Sequence, residues 1–151
     1  MIIEIDQSGK IEETAKDTVI AFTDKKGFKQ SIKITAREKR KLQKFFRNLE
    51  RPRFYTHKVF SVLIFLLIKD YLHKLDRIII DPEYPGYEEL LRNLIFELIQ
   101  ATDDNFEKNQ ITFKRVGKQS SVHDLAWHVF RRLKKPSRTV ASTDLLKIIT
   151  K

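Results

Sequence analysis

The run from Val59 to Ile68, VFSVLIFLLI, constrains this chain more than any other segment. At ten residues it is about half as long as a bilayer crossing requires. The helix expected around it, from about Thr56 to Leu75, has no polar face to turn toward water. Such a helix has to be covered on several sides, and only a layered domain does that. With 151 residues the chain is long enough for one domain, 1–151, that buries a substantial core.

The rest of the pattern supplies the other layers. Met1 to Asp6 alternates, with Ile3 and Ile5 on one face and Ile2, Glu4 and Asp6 on the other. Thr18 to Thr23 and Phe28 to Thr35 read as two more strands, joined through Asp24-Lys25-Lys26-Gly27 as an antiparallel meander. Thr35 with Glu38 three residues on has the form of a capping box, opening a basic helix to about Asn48. Arg77 to Asp81 (RIIID) lacks alternation, as a central parallel strand does. An amphipathic helix follows over Tyr87–Ala101, then a fifth strand over Ile111–Val116. Ser120-Ser121 opens a further helix, and a short apolar tail runs from Asp144 to Thr150. Right-handed crossovers then predict an α/β fold: a mixed five-stranded sheet, three antiparallel strands plus two parallel ones, with helices on both faces.

Composition excludes several classes of chemistry. The chain has no cysteine, which removes disulfide frameworks, thiolate zinc sites and cysteine nucleophiles. The opening MIIEIDQSGK lacks a basic segment followed by an apolar run, so a soluble cytoplasmic protein with no membrane association is expected. No Walker loop, GxGxxG turn or GxSxG elbow occurs.

Charge points to a partner. The chain carries 30 Lys and Arg against 20 Asp and Glu, a net charge of +10, and the excess is clustered. Arg37 to Arg53 includes Lys39, Arg40, Lys44, Arg47, Arg51 and Arg53; Arg131 to Arg138 includes Arg131, Arg132 and Lys135 with no acid; Lys114 and Lys118 add to these. Such clusters are the footprint of a polyanion, DNA or RNA, although a merely solvated basic surface is the plainer reading.

Three acids are candidates for chemistry. Asp6 and Asp81 fall at the carboxyl ends of strands expected to be parallel neighbours, the edge where α/β sheets bind ligands. Asp124 lies in the first turn of a helix starting at that edge. Converging carboxylates suit Mg2+ or Mn2+, and beside a phosphate backbone they suggest metal-assisted hydrolysis. Asp124 taken alone is better explained as a helix N-terminal acid, worth about 0.3–1 kcal/mol through the macrodipole, and Asp81 before Pro82 can simply open a turn. Asp6 is harder to explain structurally, because burying an unpaired carboxylate is costly. His57, near the start of the apolar helix, reads as a structural histidine or a proton donor. Trp127 and Tyr84 each read as core or as a base-stacking ring, with core the plainer reading for Trp127.

These residues carry a resemblance. IEIDQSG in the first strand is similar to the Asp-x-Ser strand of the ribonuclease H-like superfamily, and SSVHDLAWHVFRR resembles the closing helix of its resolvase-like members. The order of elements resembles that fold over most of the chain. The resemblance implies a nuclease that cuts phosphodiesters with two divalent ions. It implies Asp6, Asp81 and Asp124 as metal ligands, with His123 as an alternative or additional catalytic group. A resolvase-like member would act as a homodimer. Many members also carry a Glu on the helix before the fourth strand, but this sequence has no acid between Glu50 and Asp70. Glu83 or Glu50 would have to stand in. A three-acid site could still work; the missing helix acid is the best support for the alternative, an inactive module of the same fold that binds nucleic acid or protein.

Overall fold

The meander forms where alternation placed it. A computed structural model describes residues 1–117 and 119–151. In it β1 (Ile2–Ser8), β2 (Thr18–Asp24) and β3 (Lys29–Ile34) pair antiparallel in sequence order. Asp24 shapes the β2–β3 turn, its Oδ1 accepting from Lys26 N at 3.0 Å and Phe28 N at 2.8 Å. β2 is buried on both sides, with Ile20 and Phe22 in the larger core and Val19 and Ala21 in a smaller one. That is why TVIAFT shows almost no polar residues.

Helix α1 (Ala36–Asn48) starts at Thr35, whose hydroxyl accepts from Glu38 N at 3.4 Å. The reciprocal half of the expected capping box is absent. The Glu38 carboxylate instead accepts from the backbone and hydroxyl of Ser142, at 2.9 and 3.2 Å, and pairs with Lys41. The apolar run lies in α2 (Phe54–Ile68), and every residue from Val59 to Ile68 is buried. The helix stops there, seven residues short of the expected end, and continues as a 3-10 turn over Lys69–Lys74. β4 (Arg77–Ile80) lies parallel to β1, α3 (Glu88–Gln100) follows, and β5 (Ile111–Phe113) lies parallel to β4. α4 (Ser121–Phe130) packs on β1, β2 and β3, whereas α1, α2 and α3 share the larger core on the other face. α2 is thus enclosed by the sheet and by neighbouring helices, as its missing polar face required.

The sheet has six strands, not five. After α4 the chain forms β6 (Arg138–Val140), parallel to β3, and ends in α5 (Ser142–Ile149), which joins the larger core. The order is β5-β4-β1-β2-β3-β6. β6 is three residues long with Arg138 and Thr139 exposed, so it has no alternation to read. Among the described residues no helix is long and apolar enough to cross a membrane.

The β1–β2 connection is held by two close approaches. Gly9 takes φ +79°, and a Cβ there would stand 2.2 Å from the Asp17 carbonyl oxygen and 2.5 Å from Phe130 Cε1. Lys39 is fully buried, and its Nζ donates to Lys10 O, Glu13 O and Thr18 Oγ1 at 2.8–3.0 Å. This corrects its assignment to a phosphate-binding surface: the ammonium is used up inside the fold. Burial pushes its pKa down to about 8, against the opposing pull of Asp17, Glu12 and Glu13. The unfolded value is about 10.4, so the folded state sheds this proton first. Below pH 8 the full penalty is present, and stability should rise as pH climbs from about 8 to 10.4. Urea unfolding of wild type and Lys39→Met across that window checks this; the variant should lack the rise.

Candidate metal centre at the carboxyl edge

Parallel pairing of β1 with β4 builds the site. Ile5 faces Ile80 in register, and Asp81 N donates to Ile5 O at 3.0 Å, which brings Asp6 and Asp81 side by side. Alternation turns Asp6 away from Ile3 and Ile5, toward the face that α4 covers. Just past β4, Glu83 N donates to Asp81 O at 2.9 Å, a tight turn that folds Glu83 back. Ligand oxygens of Asp6, Asp81 and Glu83 all lie within 4.8 Å of one another.

The first two carboxylates are held by the backbone. Asp6 Oδ1 accepts from Gln7 N at 2.8 Å, and Asp81 Oδ1 accepts from Val116 N, beyond β5, at 3.1 Å. From α4, His123 Nδ1 lies 3.0 Å from Asp6 Oδ2. An ionised carboxylate can only accept, so this contact puts a proton on Nδ1, and in the neutral ring Nε2 is then the acceptor. Gln7, Pro82, Arg115 and Gly117 complete the lining of a cleft of about 470 Å3.

The cluster strains its own charge. Asp6 is only 5% exposed, and Glu83 sits close to two other acids. Burial first, then the charges of Asp6 and Asp81, raise the Glu83 pKa to about 8. Its unfolded value is about 4.3, so the folded state holds a proton that the unfolded chain releases. Stability of the metal-free protein should therefore fall as pH rises from about 4.3 to 8. Each tenfold displacement of that equilibrium is worth about 1.4 kcal/mol. Thermal melts in EDTA at pH 5 and pH 8 measure the slope, and Glu83→Gln should flatten it.

A hard divalent cation fits these residues. The donors are all carboxylate oxygens, the ligands Mg2+ and Mn2+ prefer. Their mutual spacing spans what opposite corners of an octahedron with bonds of about 2.1 Å require. One buried side-chain acceptor in the cleft, Gln7 Oε1, has no hydrogen-bond partner among the described residues.

Of the residues expected from sequence, Asp6 and Asp81 meet, and Glu83 joins them as the substitute acid. Glu50 lies in the exposed turn after α1 at φ 59°. Asp124 does not join: it is exposed and lines a separate cleft with Thr23, Lys29 and His128. Consecutive helical residues project about 100° apart, so when His123 faces Asp6, Asp124 points elsewhere. His57 stacks on Tyr87 with ring centroids 4.3 Å apart and does not line the cleft. Tyr84 is buried, its hydroxyl within 3.2 Å of Gln7 Nε2. Arg40, Lys44, Arg47, Arg51, Arg53, Lys114, Arg131, Arg132 and Lys135 are exposed, and Lys118 lies outside the described residues. Gln7, Arg115 and Gly117 are lining residues that sequence reasoning missed. Arg115 was findable by the logic that found Asp81, since it follows the carboxyl end of a parallel strand.

No family model, curated protein or solved structure matches the chain.

Proposed function

We propose that this chain is a metal-dependent nuclease with a ribonuclease H-like arrangement, hydrolysing phosphodiester bonds of DNA or RNA. The observation that carries the reading is the convergence of Asp6, Asp81 and Glu83 within 4.8 Å at the edge of a parallel strand pair. The +10 net charge supports a polyanionic substrate. The meander followed by two parallel strands is the arrangement the sequence resemblance anticipates.

The roles divide by chemistry. Asp6, Asp81 and Glu83 would hold the cation, with Mg2+ or Mn2+ the suitable ions. Three carboxylates suffice for one ion, and a second would need the oxygens of the scissile phosphate. When bound, a divalent ion supplies an activated water and neutralises charge on the phosphate. His123, oriented by Asp6, presents Nε2 to take a proton from water. Arg115 is placed to guide a phosphate into the cleft. Loading should also displace the Glu83 proton, giving a buffer-dependent enthalpy when Mg2+ binds below pH 8.

The deciding experiment is cleavage of labelled duplex, hybrid, single-stranded and branched substrates with Mg2+, Mn2+ or EDTA. Products that require metal support the reading and identify the substrate. Binding with no cutting under any metal would replace it with the inactive module, the role favoured by the absence of an acid on α2.

A further inference from the structure

Helix α4 also leads away from the cleft. His123 touches Asp6 near its start; Trp127 lies four residues on and Arg131 four beyond that, about 6 Å of helix rise at each step. Residues at this spacing share a helix face. Trp127, the chain's one tryptophan, is 42% exposed, so of the two readings its sequence context allowed, core or base-stacking, the core one fails. The Arg131 guanidinium lies over its ring, 5.4 Å from the centroid.

The surroundings are basic in balance, although Asp17 pairs with Arg132 at 3.5 Å and Asp24 and Asp124 line the cleft that holds Lys29 and Lys134. No acid occurs between Asp124 and Asp144, and Arg131, Arg132, Lys134 and Lys135 are all exposed. Lys134 and Lys29 are in such close contact that the Lys134 pKa is pushed down. An anion between two crowded ammonium groups relieves their repulsion.

We propose that this face of α4 is a track for single-stranded nucleic acid leaving the acidic cleft, with an unpaired base stacked on Trp127 and phosphates on Arg131, Arg132 and Lys134. The indole decides the substrate class. In a duplex the faces of interior bases are covered by their neighbours, so a stacking platform serves an unpaired base. An acidic protein would satisfy the cations but has no comparable use for an exposed ring one helix turn from a metal centre. The inference rests on nucleic acid being the polyanion partner and does not require that the protein cuts it.

The lone tryptophan makes the test direct. In EDTA, where no cleavage occurs, the protein is titrated with oligothymidine of about 16 nucleotides, with a blunt duplex and with polyglutamate, while tryptophan emission is followed. The expected result is saturable quenching by oligothymidine and little by the others. Trp127→Ala should weaken binding of labelled oligothymidine, followed by anisotropy, by about tenfold or more, with Trp127→Phe recovering most of it. Unchanged circular dichroism and melting in both variants separate this from misfolding. Oligothymidine bound with unchanged emission, equal affinity in Trp127→Ala, equal quenching by polyglutamate, or no oligothymidine binding would each overturn the track. Quenching without metal-dependent cleavage would overturn only the nuclease reading; cleavage with a silent Trp127 would overturn only the track.

Discussion

Asp6→Asn should reduce metal-dependent cleavage by more than about a hundredfold, beyond what losing a partner behind a ligand costs, while nucleic acid binding is retained. Asparagine keeps the shape and can still accept from Gln7 N, but it removes the charge at the centre of the cluster. It also presents an amide where His123 Nδ1 donated, so the imidazole loses its orienting acceptor. The same variant has a second signature. The charge of Asp6 is, after burial, the largest cause holding the Glu83 proton, so removing it should shrink the stability loss between pH 5 and pH 8 in EDTA. Cleavage assays and melts on one preparation read both effects. Cleavage retained together with an unchanged pH slope would remove Asp6 from the centre.

Gly9→Ala should destabilise the fold by about 3 kcal/mol, lowering the melting temperature by about 10 °C. Two costs combine. A side chain at φ +79° is strained, and its Cβ would stand 2.2 Å from the carbonyl oxygen of Asp17, a backbone atom that cannot rotate away. Gly27→Ala is the internal control. Gly27 has φ +94° but nothing within 4 Å of the added carbon, so only the conformational strain applies, about 1 kcal/mol. Comparing the two by urea denaturation isolates the contribution of packing. Gly9 follows β1 directly, so its displacement should also disturb Asp6 and lower activity more than stability alone predicts.

The order of elements through α4 was legible because each stretch shows a pattern of its own, whereas three-residue β6 shows none. The alternation of Ile3 and Ile5 with Asp6 told which face the acid would take, and the absence of alternation in RIIID told that its strand was central. The pairing of Asp6 with Asp81 followed from those two facts. What remained hidden depends on rotation and on contacts remote in sequence. Residues 123 and 124 are both polar at the start of one helix, and nothing local says which of them faces the sheet. Glu83 and Glu50 were equal candidates for the missing acid, and the choice lies in the turn around Pro82, where Glu83 N donates to Asp81 O and folds Glu83 back. Lys39 looked like one more cation of a basic helix. Its burial is fixed by three acceptors on residues 10, 13 and 18, none of which a helical pattern reveals.

The two outermost strands, β5 and β6, have three residues each, and the Ile111 carbonyl of β5 already accepts from Arg92 Nε at 3.0 Å. Flanks this short offer few unpaired amides for another chain to zip onto. Two copies of this molecule would therefore have to meet through helical surfaces rather than by extending one sheet into the next.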